Sequence, residues 1–265
     1  MCIVAIAWQV IDEIPLCLIS NRDEFYQRPT KNLHYWHNSP IIAGQDLTSY
    51  GTWMGVTAQG RWAVLTNFRD GTDSQHYKTS RGSLVSDFLQ SAQTPIRYAQ
   101  SIEKKQTDFA GFNLIVGDQH QAVYMSNRGE APQLLARGVY VLSNGLMSQH
   151  WEKTARLRKR FTQEFLPLLQ LKTIHDSELE HVVWDILQDQ RQIEESKLLP
   201  QTGVSEVWER ILSSTFIQTQ DYGTRCSNYL LMKQNAWQWI EKQQYGELKN
   251  QSIQIHQKIA TDVIR

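Results

Sequence analysis

The chain has few cysteines, no excess of charge of either sign, and no long apolar run. Cys2, Cys17 and Cys226 are too few and too scattered for a disulfide framework, and without a Cys-x-x-Cys pair a structural zinc site is not expected. Lysine plus arginine count 27 and aspartate plus glutamate 27, so the formal net charge is zero. That balance excludes the electrostatic footprint of a nucleic-acid binder and a polybasic membrane anchor. The basic run Arg156, Arg158, Lys159, Arg160 therefore reads as one solvated helix face. No stretch is apolar for long enough to span a bilayer, and Met1–Trp8 lacks the basic start of a signal peptide, so stable membrane insertion is not expected and a cytoplasmic location is. Linkers, low-complexity runs and sustained repeats are also missing, and residues 1–265 read as one domain.

What is there is a 41% hydrophobic chain of 265 residues with nine tryptophans, enough for a sizeable core. Four hairpins are predicted in the first half. They are Ile3–Val10 with Leu16–Ser20, Trp53–Thr57 with Arg61–Thr66, Asn113–Gly117 with Ala122–Ser126, and Gln133–Ala136 with Val139–Ser143. Helices are predicted near Ser83–Gln93, Ile96–Gln106, His150–Leu169 and Glu178–Gln188, the last capped by Asp176 or Ser177. Strands resume at Ser214–Gln218, Thr224–Lys233 and Ala236–Lys242, with one more around Ile253–Ile259. Hairpins, then helices, then more strands predict an α+β layered domain, two sheets packed together with helices outside.

Position two carries the most suggestive chemistry. If Met1 is removed, Cys2 offers a thiol and a free α-amine on one residue, and an α-amine titrates near neutrality. A nucleophile with its own base is the arrangement of N-terminal nucleophile hydrolases. The bland reading is a small apolar residue opening a buried strand. Four strands end alike, at Ser20-Asn21, Thr66-Asn67, Ser143-Asn144 and Ser126-Asn127, each followed by a polar turn. Asparagine is a turn residue in its own right, but several such ends would set amides along one sheet edge, where they serve as oxyanion donors. Ser20-Asn21-Arg22-Asp23-Glu24 follows the strand that pairs with the Cys2 strand, so Arg22 and Asp23 are expected beside Cys2. His34 and His37, three apart in an aromatic stretch, read as ordinary polar residues; no metal and no cofactor is expected.

These residues resemble the NRDE family, the transport and Golgi organisation protein 2 family. The resemblance is carried by Met1-Cys2-Ile3-Val4, Asn21-Arg22-Asp23-Glu24, Arg28-Pro29-Thr30, Ala43-Gly44-Gln45-Asp46-Leu47 and Gly51-Thr52-Trp53-Met54-Gly55-Val56. It continues through Leu65-Thr66-Asn67-Phe68-Arg69, Ser80-Arg81-Gly82, Leu142-Ser143-Asn144-Gly145 and Tyr222-Gly223-Thr224-Arg225. Gln45 and Cys226 depart from the pattern, where arginine and serine are common. The family is similar to N-terminal nucleophile hydrolases of the choloylglycine and penicillin V acylase kind. That likeness implies a four-layer αββα sandwich of two mainly antiparallel sheets, with Cys2 as nucleophile and Asp23 as early carboxylate. It implies Asn67 and Asn144 for the asparagine positions and Arg225 for the late arginine. Arg22 is the loosest match: it adjoins Asp23, so their side chains project to opposite faces of a strand, and whether Arg22 faces Cys2 stays open. Two functions follow from the resemblance. One is an amidohydrolase acting on a small acyl amide; the other is a non-catalytic carrier of haem, an acyl-lipid or acyl-coenzyme A in the same pocket.

Overall fold

The computed structural model describes residues 2–171 and 173–259; the question of Met1 lies outside them. In chain order the first strands are β1 (Cys2–Ile11), β2 (Ile14–Phe25), β3 (Thr30–Tyr35), β4 (Ile41–Asp46), β5 (Met54–Thr57) and β6 (Trp62–Asn67). Helices α1 (Ser83–Gln90) and α2 (Pro95–Glu103) follow, then β7 (Phe112–Gly117), β8 (Ala122–Ser126), β9 (Glu130–Leu134) and β10 (Gly138–Leu142). Helix α3 (Glu152–Arg160) runs on through a wider turn at Phe161–Phe165. Then come α4 (Asp176–Leu187), α5 (Glu206–Ile211), β11 (Tyr222–Met232), β12 (Ala236–Gln243) and β13 (Ser252–Lys258).

The strands form two antiparallel sheets. One has six strands in the order β10-β1-β2-β11-β12-β13; the other runs β3 to β9 in sequence. Strand β1 shows why they stack. Val4, Ile6 and Trp8 join a core between the sheets, with Trp62, Val64 and Trp239. Ile3, Ala5 and Ala7 point the other way, onto Leu157, Phe161 and Val183 of the α3–α4 layer. A strand buried on both faces reads as one continuous apolar run, and Cys2–Ala7 does. A third core, with Ala63, Leu65 and Leu114 against Phe88 and Ala99, seats α1 and α2 on the seven-stranded sheet. The layers are helix, sheet, sheet, helix, the α+β sandwich expected.

Four local expectations differ. The tetrad Asn21–Glu24 is not a turn but the end of β2, because β11 pairs with it throughout and β1 pairs with Asn21 and Arg22 from the other side. Strands β9 and β10 do not pair with each other. β9 joins β8 and β10 covers the open edge of β1, so the chain changes sheets between them. Residues 214–218 form no strand; Thr215 and Phe216 donate their N–H groups to the Asp189 carbonyl instead. His175, not Asp176 or Ser177, caps α4, with its N–H bonded back to Glu178. Strands β3 and β4 and helix α5 have no counterpart among the elements expected from sequence.

Candidate active site

The register of the first hairpin sets the geometry. Cys2 lies directly opposite Arg22, and Arg22 in turn lies opposite Cys226 of β11. Directly opposed residues share a sheet face, so Arg22 stands between two thiols on the side facing the seven-stranded sheet. This settles its orientation: Arg22 shares the face of Cys2, and Asp23 turns toward the helical layer.

Cys2 lines a cavity of about 120 Å³ at this end of the sandwich, together with Arg22, Asp23, Trp53, Asn67 and Arg81. The six-stranded sheet supplies Cys2, Arg22 and Asp23; the seven-stranded sheet and its loops supply the rest. Arg22 is buried, its guanidinium 4.1 Å from the centre of the Trp53 ring, and it donates to Thr30 Oγ1 at 3.2 Å. Its charge lies 3.6 Å from Asp46, which Arg28 holds through two nitrogens at 2.5 and 3.2 Å. Gly44 of β4 lies under the indole; a Cβ there would come within 2.5 Å of Trp53 Cη2. Glycine at this position is what lets the ring reach Arg22.

Burial raises the Cys2 thiol above its ordinary value, and Asp23 adds to the rise while Arg22 opposes it. The resting sulfur is therefore a thiol, and a base has to take its proton at the moment of attack. Asp23 is 1% exposed and accepts the Thr224 hydroxyl at 2.7 Å. Burial pushes its carboxyl up, while Lys153, Thr224 and Arg22 pull it down. Lys153 is a buried ammonium that donates to the Leu212 carbonyl at 2.9 Å; burial and Arg69 press its proton affinity down to about 7. Arg69, buried beside it, is paired to Glu209 at 2.5 Å. Behind the thiol, then, Asp23, Lys153, Arg69 and Glu209 lie buried together, a cluster of ionisable side chains whose charges act on Asp23 at low dielectric.

The strand-end asparagines do not converge. Asn67 lines the cavity, and its side-chain amide makes no hydrogen bond among the described residues. Asn144 donates to the Asn67 carbonyl at 2.9 Å, so it braces that residue from behind. Asn21 is fully buried on the other face, donating to the Leu187 and Thr215 carbonyls and accepting from Ser227. Asn127 ties the turn before β7 by donating to the carbonyls of Gln106, Phe109 and Ala110. Asn21, Asn127 and Asn144 thus satisfy backbone carbonyls that would otherwise be orphaned, the ordinary work of a buried amide.

Arg225 also stands apart from Cys2. It borders a neighbouring cavity, with Cys226 and Glu241, and donates to the carbonyls of Phe25, Tyr26 and Arg28 at 2.9–3.0 Å. Its charge secures the connection from β2 to β3. Arg28, Asp46, Trp53 and Arg81 all lie within the motifs that carry the family resemblance, but the sequence assigned them no role. Lys153, in the first turn of α3, is not singled out by the sequence, and nothing in its neighbours marks it as buried. Among the described residues no cluster of metal-ligating side chains occurs, and His34 lies half-exposed on β3.

Fold and cavity define a class: a two-sheet αββα protein with a cysteine-bearing polar cavity where the sheets meet. Comparison with known proteins narrows it. The chain belongs to the Transport and Golgi organisation 2 family, whose model matches residues 1–246. It is 30% identical over 238 residues to the Transport and Golgi organization 2 homolog of Mus musculus, with 83% of each chain covered. Among solved structures it is similar to a variant of the conjugated bile acid hydrolase from Clostridium perfringens, at a TM-score of 0.49 and 9% identity over 96% of this chain and 92% of that one. It is also similar to the Caenorhabditis elegans ortholog of N-acylethanolamine-hydrolyzing acid amidase, at a TM-score of 0.43 and 13% identity over 69% and 85% of the two chains. No helix among the described residues is long and apolar enough to cross a membrane.

Proposed function

We propose that the chain is a cysteine amidohydrolase that cleaves a linear amide C–N bond, with Cys2 as nucleophile once Met1 is removed. The observation that carries this reading is that Cys2 lines a polar cavity, opposite the cation of Arg22 and with Asp23 behind it. Cys17 faces the helical core and Cys226 lines a different cavity.

The α-amine of Cys2 takes the thiol proton as sulfur bonds to the amide carbon. Negative charge moves to the carbonyl oxygen, where the free amide of Asn67 donates to it; one such donor is worth about 10²–10³ in rate. The tetrahedral adduct collapses, the C–N bond breaks, and the ammonium returns its proton to the departing nitrogen. Water then gives a proton to the α-amine as its oxygen attacks the thioester. The C–S bond breaks and the thiol is restored. Asp23 orients the α-ammonium, and the Arg22 guanidinium favours thiolate as the proton leaves.

A screen of acyl amides with wild type and Cys2→Ala side by side, each with its intact mass measured, tests this. Turnover is expected only with the wild type and only in protein lacking Met1. Equal turnover by Cys2→Ala, or turnover with Met1 retained, sinks the mechanism. A carrier of haem or acyl-coenzyme A would need more room. At about 120 Å³ the cavity takes the reacting end of a ligand, so a haem macrocycle would lie across its mouth.

A further inference from the structure

The motif Ser80-Arg81-Gly82 has no part in the chemistry above, yet Arg81 lines the Cys2 cavity. The segment is held tightly against the one that carries Trp53. Thr52 donates its N–H to the Gly82 carbonyl at 3.3 Å, and a Cβ on Gly51 would fall 2.5 Å from the Gly82 carbonyl carbon. Arg81 is therefore fixed relative to Trp53 and Arg22.

Three cations and three anions line the cavity, but their commitments differ. Arg28 takes Asp46 through two nitrogens, and Arg22 adds its charge to the same carboxylate. Glu24 accepts the Phe25 N–H and lies 3.9 Å from Arg28, and Asp23 accepts the Thr224 hydroxyl. Arg81 differs from these. Among the described residues it donates once, from Nη1 to the Gly111 carbonyl at 3.0 Å, and no carboxylate lies within ion-pair distance. Burial weakens its hold on its proton and Glu24 counters only in part. A guanidinium offers five N–H donors in a planar fork that fits two oxygens at once. Here most of that fork is unused and borders the space in front of a thiol.

We propose that Arg81 anchors an oxyanion on the ligand, so that the molecule this cavity takes is an acyl amide bearing a carboxylate or a phosphate. The amide half rests on the amidohydrolase reading; the anion half rests on Arg81 alone. Neutral amides bind without this contact and are poor ligands.

Protection of Cys2 from iodoacetamide, followed by mass of the Cys2 peptide at fixed ionic strength, reads the binding without any turnover. The probes are N-acetylglycinate, N-acetyl-2-aminoethyl phosphate and the neutral N-acetylglycinamide. In the wild type at least one anion is expected to protect at concentrations about tenfold or more below the neutral amide, the size of a charge-assisted bond. The anion that does so tells carboxylate from phosphate. Arg81→Gln is expected to erase the preference, and Arg81→Lys to keep part of it through charge without the fork. Equal protection by the neutral probe, no protection by either anion, or a preference that survives Arg81→Gln overturns the proposal. The wild-type comparison does not depend on either variant folding. If Cys2→Ala abolishes amide turnover while all three probes protect alike, the anion anchor fails and the hydrolase stands. If protection is anion-selective and no amide turns over, the anchor stands and the hydrolase fails.

Discussion

Replacing Gly44 by alanine tests whether Trp53 positions Arg22. The added Cβ would meet Trp53 Cη2 at 2.5 Å, Cζ2 at 2.8 Å and the Lys31 carbonyl at 3.2 Å. Carbon atoms rest about 3.5–4.0 Å apart, so the indole has to retreat by about 1 Å. Trp53 is 7% exposed and packed in the inter-sheet core, where overpacking costs about 1–3 kcal/mol. The ring also carries the Arg22 guanidinium at 4.1 Å, a desolvated contact worth about 2 kcal/mol, part of which is lost. The expected loss is about 2–4 kcal/mol, measured as a lower urea midpoint at unchanged slope. Displacing Arg22 also weakens a cation that lowers the Cys2 thiol, so Cys2 alkylation should slow at a given pH. In a Trp53→Leu background the clash is gone, and Gly44→Ala should cost within about 0.5 kcal/mol of nothing. Equal costs of Gly44→Ala in both backgrounds, or unchanged Cys2 alkylation, would show that Trp53 does not hold Arg22 in place.

Asn21→Ala should destabilise the protein by about 2–4 kcal/mol in urea unfolding, because two buried carbonyls and the Ser227 hydroxyl lose their partner together. A loss below about 1 kcal/mol would mean that water enters to replace the amide. Burial alone would raise the Asp46 carboxyl, but Arg28 and the N–H groups of Ser49 and Thr48 hold it below its ordinary 3.8. A depressed carboxyl adds stability that is full above its unfolded value and is lost as pH falls through the folded one. Asp46→Asn should therefore flatten the fall in stability below about pH 4. An acid limb as steep as the wild type's would count against it.

The parts of the site legible in the sequence were those that depend on neighbours along the chain. Two apolar strands joined by a polar connection bring the end of the second beside the start of the first, and Arg22 and Asp23 do flank Cys2. Strand alternation also separated their faces correctly; the pairing partner of Cys2 decided which of them shared its side. The parts not legible are set by groups far apart in sequence. Asn21, Asn67, Asn127 and Asn144 end their strands alike, yet three of them serve carbonyls that only the folded chain brings near. Arg225 spends its charge on three carbonyls about 200 residues earlier. The short gap between β9 and β10 resembled a hairpin because local spacing carries no record that β1 had an unpaired edge to fill.

The Arg225 contacts have a mechanical side. Residues 26–29 carry the chain from the six-stranded sheet to the seven-stranded one, beside the cavity. Arg225 grips two carbonyls of this strap, Tyr26 and Arg28, and that of Phe25 where it leaves β2, and Tyr26 stacks on Tyr245 at 3.8 Å. One sheet brings the thiol and Arg22; the other brings Asp46, Trp53 and Asn67. Sliding of one layer over the other would have to stretch a connector too short and too well tied to give. At this end of the sandwich the two sheets are geared together, and the width of the cavity is fixed by the strap that crosses beside it.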